Sequence, residues 1–313
     1  MVYRILGKTG FRVSLVSLGS GGHSRIGLAT GKTAAESVAV VRQALEQGIN
    51  LVDSSEIYGT EELVGQALAG WPSHKIILST KGAVTQDNRL KTARQLEESL
   101  ENSLRRLQTD YVDIYHLHAV RPADYDDVVS ELVPVLQKLK RQGKIRSIGI
   151  TEAFASDPTH QTLRLAVKDD CWDVMMVGFN LLNQSARTRV IEPAMQKNIG
   201  ILDMFAVRKA LISQENLAAQ LSVLYDKGLI DPDALDIQHP LADVLTSSGC
   251  RSLTELAYRF CSSEPGIHSI LSGTGNIRHL HDNIRDIARG PLPEAVRDKL
   301  VGLFARVDCV SGQ

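Results

Sequence analysis

Four titratable side chains stand at or just beyond the ends of apolar runs, and together they form a proton-handling set. Asp53 and Tyr58 lie five residues apart in NLVDSSEIYG, Lys81 follows the run in ILSTKG, and His118 sits in DIYHLHAV. A phenol is a poor acid near neutral pH, with an ordinary pKa of about 10, unless a nearby cation favours its phenolate form. Lys81 fits that role, and Asp53 supplies the opposite charge that keeps a half-buried lysine an ammonium. His118 is suited to donate a hydrogen bond to a substrate carbonyl and fix its orientation, or to share in relaying the proton. Such a set polarises a carbonyl oxygen and protonates it while a hydride reaches the carbon. No side chain can give a hydride, so this chemistry implies a nicotinamide cofactor and a small carbonyl or alcohol substrate.

These residues need a scaffold that brings three separate segments to one rim. Short β-branched runs at Leu15–Leu18, Leu51–Asp53, Ile76–Thr80, Val112–Leu117, Ile145–Ile150, Asp173–Phe179, Gly200–Met204 and Ser269–Leu271 read as strands. Segments of helical period separate them, and Tyr3–Leu6 with Phe11–Val13 reads as a leading hairpin around GKTG. Thr33 with Glu36, Thr92 with Gln95 and Ser252 with Glu255 fit capping boxes, and Asp157-Pro158 reads as an N-cap followed by an N1 proline. Leu96, Leu100, Leu104 and Leu107 form one apolar helix stripe. The pattern predicts an α/β fold: a (β/α)8 TIM barrel with an N-terminal β-hairpin and long loops at the C-terminal face, residues 1–313 forming one domain. In that fold function sits where strands end, and there Asp53, Lys81 and His118 close three successive strands. The spacing breaks once, between Met204 and Ser269, at a segment containing Leu217–Lys227 and DPDALDIQHPLAD. Long barrel loops of this kind shape substrate access.

Composition removes several function classes. A formal net charge of -1 offers no basic stripe for nucleic acid. Cys171, Cys250, Cys261 and Cys309 lie far apart with no CxxC pair, and MVYRILGKTG lacks the apolar core of a secretory signal. Runs such as Val174–Leu182 are far short of the ~20 residues of a membrane span. The expectation is a soluble, cytoplasmic protein with free thiols and neither a nucleic-acid nor a membrane partner. Nothing in the chain indicates its oligomeric state.

The segments GINLVDSSEIYG with TEELVG, ILSTKG, DYVDIYHLHAV and SGTGNIRHLHDN, in order and behind the opening LGKTGFRVSLVSLGSGG, make the chain resemble an aldo-keto reductase over nearly its whole length. That resemblance implies Tyr58 as the acid-base residue, Lys81 and Asp53 as its tuning pair, and His118 as the residue orienting the carbonyl. It implies NADP(H) as cofactor, with NAD(H) as the other candidate. The nucleotide phosphate then falls on Ser272, Gly273, Thr274, Gly275 and Asn276, with Asn283 on the following helix; the basic residue usual at the start of that loop is Gly273 here, so the charge is expected from Arg278 or from the Arg208-Lys209 pair. A glycine-rich turn opening a helix is a ready anion site. Thr151-Glu152 stands where the family usually places Ser-Asn to hold the nicotinamide carboxamide, and Met176 where it usually places Gln. Thr151 still hydrogen-bonds, and Glu152 is expected to accept from the amide NH2. After strand seven, Met204 or Phe205 is the expected stacking surface, and Arg208 or Lys209 the expected reach to the phosphates. The frequent Trp after the histidine is Ala119, and the only tryptophans are Trp71 and Trp172.

Three motifs point elsewhere and fail on inspection. GLATGKT lacks the first glycine of a P-loop, since that position is Ile26. LGSGGHS lacks the last glycine of a dinucleotide fingerprint, since that position is Ser24, and reads as a flexible loop. His116 and His118 alternate on one strand, as in metal-dependent barrel hydrolases, but SIGITE, VGFN and LSG supply no further histidine or aspartate ligand. No metal is therefore expected. A cofactor-binding redox-sensing or regulatory subunit without efficient turnover is the alternative to an enzyme.

Overall fold

The structure is a computed structural model that describes residues 1–313, the Pro232 side chain excepted. Eight parallel strands close into a barrel: β1 (Val16–Gly19), β2 (Leu51–Asp53), β3 (Ile77–Ala83), β4 (Val112–Val120), β5 (Ile145–Glu152), β6 (Val174–Gly178), β7 (Gly200–Met204) and β8 (Ser269–Ser272). Each pairs with its sequence neighbours, and β8 pairs β1 to seal the ring. All eight sequence-predicted strands are present. β3 and β4 run past their predicted ends, so Lys81 and His118 each stand two residues inside a strand end.

Interior and exterior of the barrel are separate cores because strand side chains alternate. Leu51, Ile77, Ile114, Val174, Met176, Leu202 and Met204 fill the interior, closed from below by Leu6, Phe11 and Val13 of the hairpin Tyr3–Ile5/Arg12–Ser14. The outer core lies between the strands and the surrounding helices, among them α1 (Ala34–Glu46), α2 (Glu61–Leu68) and α3 (Ala93–Leu107). In α3 the leucine stripe faces inward, with Leu96 and Leu100 at 0% exposure. Truncating Leu100 to Ala in such packing costs about 2–5 kcal/mol.

Both capping boxes at α1 and α3 are complete. At α4 (Leu253–Ser262) Ser252 caps Glu255 N, but the Glu255 carboxylate reaches Arg251, so half of that box forms. The helix after β5 starts at Gln161 and not at Pro158. Asp157 still serves it, its two oxygens accepting from Gln161 N and Thr162 N at 2.9 Å each. His160 takes the left-handed conformation that lets the chain turn between them. The loop after β1 is packed, with Ile26 fully buried. The long segment after β7 contains the helix Gln214–Asp226 and the short turn Pro232–Ala234. The four cysteines are unpaired. Among the described residues no helix is long and apolar enough to cross a membrane.

Candidate active site

Barrel stagger assembles the polar set. Asp53 stands opposite Ser79, and Lys81 lies one inward-facing step further along β3. Lys81 in turn stands opposite His116, with His118 one step beyond it on β4. The inward positions therefore climb diagonally across three strands. Lys81 Nζ reaches Asp53 Oδ2 at 2.5 Å and Ser54 O at 2.8 Å, and Ser79 Oγ donates to Asp53 Oδ1 at 2.8 Å. Both charged groups are buried, Asp53 at 3% and Lys81 at 1% exposure. Burial raises the Asp53 carboxyl above its ordinary range, against the pull of Lys81. Burial alone lowers an ammonium's pKa, yet Asp53, followed by Tyr58, holds Lys81 above its ordinary value. The two groups are therefore committed to each other.

Tyr58 arrives on the loop between β2 and α2. Glu56 pins that loop by accepting from Ala83 N at 2.7 Å and from Lys91 Nζ at 2.8 Å. Buried Ser20, Ser54 and Thr60 hold its root through hydroxyl contacts of 2.8–3.2 Å. Lys81 Nζ lies 4.9 Å from the centre of the Tyr58 ring. Gly21 permits that placement, because a Cβ there would stand 2.3 Å from the phenol ring. Tyr58 Oη is 3.5 Å from His118 Nε2, and the rings meet edge-on at 5.6 Å. On its other side His118 Nδ1 is 3.1 Å from Ser55 Oγ. Burial, then Lys81, lowers the His118 pKa to about 3, so the imidazole is neutral at physiological pH.

His116 is wholly buried below this set, neither ring nitrogen meeting a hydrogen-bond partner. It fits only because Gly149 stands opposite, where a Cβ would lie 2.2 Å from His116 Nδ1. Among the described residues no three His, Cys, Asp or Glu side chains are grouped to hold a metal ion.

The other half of the rim differs from expectation. Thr151 Oγ1 accepts from Ala119 N at 2.7 Å. Glu152, expected to face an amide, is buried: both oxygens lie 2.9 Å from His160 Nδ1, and Oε1 also accepts from Gly178 N at 2.7 Å. Phe154 stacks on His160 at 5.4 Å and on Phe205 at 6.1 Å. Met204 belongs to the barrel interior, and Phe205 has a left-handed backbone. Arg208 lays its guanidinium 4.0 Å over the Phe205 ring, with Nε buried and unpartnered. Lys209 is exposed. After β8, Asn283 Nδ2 donates to Ser272 Oγ at 2.8 Å, and Thr274 Oγ1 accepts from Asn276 N at 3.0 Å. Asn276 caps the helix Ile277–Ala288 through Arg278 N at 2.9 Å. Gly273 and Arg278 are exposed, and Gly275 is buried.

Sequence reasoning missed Ser55, Ser79 and His160. The doublet Ser54-Ser55 between Asp53 and Tyr58 was the available signal for the first.

The model of the aldo/keto reductase family matches residues 17–303. L-galactose dehydrogenase of Arabidopsis thaliana is 30% identical over 298 residues, covering 90% of this chain and 86% of that protein. The uncharacterized oxidoreductase YqkF of Bacillus subtilis is 26% identical over 90% of each chain. The holo form of aldo-keto reductase AKR11C1 from Bacillus halodurans superposes with a TM-score of 0.76, covering 99% of this chain and 98% of that one at 23% identity. With the family match spanning the barrel from β1 to the last helix, the chain belongs to the aldo/keto reductase family of oxidoreductases.

Proposed function

We propose that this protein is an NADP(H)-dependent oxidoreductase interconverting a small aldehyde or ketone and its alcohol, with Tyr58 as general acid-base. The observation that carries the reading is the Tyr58 oxygen held beside His118 Nε2, its ring next to the buried Lys81–Asp53 pair. When Tyr58 gives its proton to a substrate oxygen, the Lys81 ammonium stabilises the phenolate left behind. Asp53 keeps that ammonium charged and aimed. His118 is neutral and borders the space beside the phenol, so it orients a reacting hydroxyl by hydrogen bonding and not by charge.

The remaining rim suits an anionic dinucleotide. Arg208 is a half-buried cation whose Nε lacks a partner, and burial lowers its pKa, so an anion beside it relieves an existing cost. Ser272 to Asn276 open a twelve-residue helix, where backbone N–H groups and the dipole favour phosphate. These residues, with Lys209, Arg278 and Asn283, would hold the phosphates. Thr151 would meet the carboxamide, because Glu152 is engaged by His160 and Gly178, and the Phe205 face under Arg208 would meet the ring. When bound, the nicotinamide supplies or takes up the hydride that side chains cannot. The likeness to a protein named L-galactose dehydrogenase brings hydroxyl oxidation within the proposal, alongside carbonyl reduction. We place this activity in one domain and in the cytoplasm, where unpaired cysteines persist.

The test is NADPH consumption, followed by absorbance, across a panel of aldehydes and ketones. Tyr58→Phe should lower turnover ~10²–10⁴-fold while leaving NADPH binding intact. A Phe variant within a few-fold of wild type removes Tyr58 from the role, and binding without turnover across the panel points to a sensor.

A further inference from the structure

The contacts around His118 form a chain that runs in one sense only. Ser55 Oγ lies 3.2 Å from the Lys81 carbonyl and 3.1 Å from His118 Nδ1, and His118 Nε2 faces Tyr58 Oη at 3.5 Å. A carbonyl oxygen can only accept, and Lys81 O receives Glu56 N–H at 3.1 Å as well as Ser55, which occupies both its lone pairs. Ser55 has one proton. Once it is given to Lys81 O, the Ser55 oxygen is an acceptor towards Nδ1. A neutral imidazole carries one N–H, so Nδ1 holds it and Nε2 presents a lone pair. At the far end the Lys81 ammonium favours the negative end of the phenol dipole, which turns the Tyr58 proton away from it and towards Nε2.

We propose that Ser55 is a positioning residue that sets the His118 tautomer, leaving Nε2 as a hydrogen-bond acceptor towards the reacting oxygen. The inference rests on the reading of Tyr58 and His118 given above and reverses the sense in which His118 is expected to act. A substrate hydroxyl placed between the two rings accepts from Tyr58 and donates to Nε2, completing the chain. A carbonyl oxygen accepts from Tyr58 but has nothing to give Nε2. The resting site is therefore complementary to an alcohol, and a carbonyl substrate depends on Tyr58 alone for its hydrogen bond.

The tautomer can be read without turnover, from ring 15N shifts in the full-length protein labelled at histidine, near pH 7. His118→Gln identifies the resonances. Wild type should show His118 protonated at Nδ1 with a bare Nε2, Ser55→Thr should preserve that pattern, and Ser55→Ala should move the proton to Nε2. A wild-type proton on Nε2 overturns the proposal, as does an Ala variant indistinguishable from wild type while His118 remains folded in place by its proton contacts to Tyr58. Tyr58→Phe activity is the separate arm. If the Phe variant stays active while the tautomer follows Ser55, the acid-base reading fails and this one stands.

Discussion

The rim of the barrel has two halves built on opposite principles. Across β2, β3 and β4 and the loop after β2, the polar side chains at the mouth meet partners from another segment: Ser79 and Lys81 on Asp53, Ser55 on His118, His118 on Tyr58, with His116 below them unpartnered. Across β5 to β8, polar groups are turned on one another within the wall, Glu152 on His160 and Asn283 on Ser272, while Arg208 lies on Phe205 with an open Nε. The first half is a closed polar network, and the second is a frame with an unspent donor at Arg208. A proton donor must be aimed before its substrate arrives, since misplacement raises the barrier directly, whereas a large ligand can complete its own cradle on binding.

Breaking the closed half should have the largest effect. Lys81→Met leaves Asp53 as a buried carboxylate without its cation, at a cost of about 3–5 kcal/mol in denaturant unfolding. Turnover should fall at least as far as in Tyr58→Phe. Adding Asp53→Asn should restore much of the stability and none of the turnover, because the cation remains absent. If the double variant regains activity, the pair is only structural.

The framing half should respond in stability first. Glu152→Ala strands His160 and Gly178 N in a dry wall, and a loss of about 2–3 kcal/mol in thermal or urea unfolding is expected. Turnover at saturating cofactor should change far less than in the lysine variant. An equal collapse of turnover would erase the contrast between the halves.

Acid sharpens the comparison from a third direction. Burial, then Lys81, then their mutual repulsion holds His116 well below its ordinary pKa, and burial then Lys81 brings His118 to about 3. The unfolded chain therefore binds these protons more readily, so their stabilising effect is complete above about pH 6.5 and is lost as pH falls towards 3. Between pH 6.5 and 5 His118 removes about 1.6 kcal/mol, and His116 acts in the same direction. His118→Gln should flatten the pH dependence of unfolding over that window. An unchanged slope would mean that His118 is protonated inside the fold.

The smallest effect belongs to the exposed cation Arg278. Replacing it with Ala should weaken NADPH binding by about 1 kcal/mol at low salt, and by less at high salt, in a fluorescence titration. NADH binding should not move. Equal or tighter NADH binding by the wild type would overturn the NADP(H) assignment.

Much of this was open to reading along the chain. Alternation and apolar runs located all eight strands, because strand side chains have period two and parallel strands are apolar on both faces. The same reading placed Asp53, Lys81 and His118 at the ends of three successive strands, and alternation turned His118 inward. Thr33 and Thr92 marked helix starts, because a cap is completed within three residues. Where a partner lies far along the chain, that local logic has nothing to act on. Ser55 and His118 are 63 residues apart, and Glu152 meets Gly178 from 26 away. His160 and Glu152 are only eight apart, yet the left-handed turn at His160 decides that they meet. The sequence by itself determined that Asp53, Tyr58, Lys81 and His118 share one rim and which titratable groups stand there. Only the tertiary structure decided what stands opposite each of them, because barrel stagger and loop backbone set the pairing: Glu152 turned to the wall, Arg208 laid on Phe205, and Ser55 set behind His118.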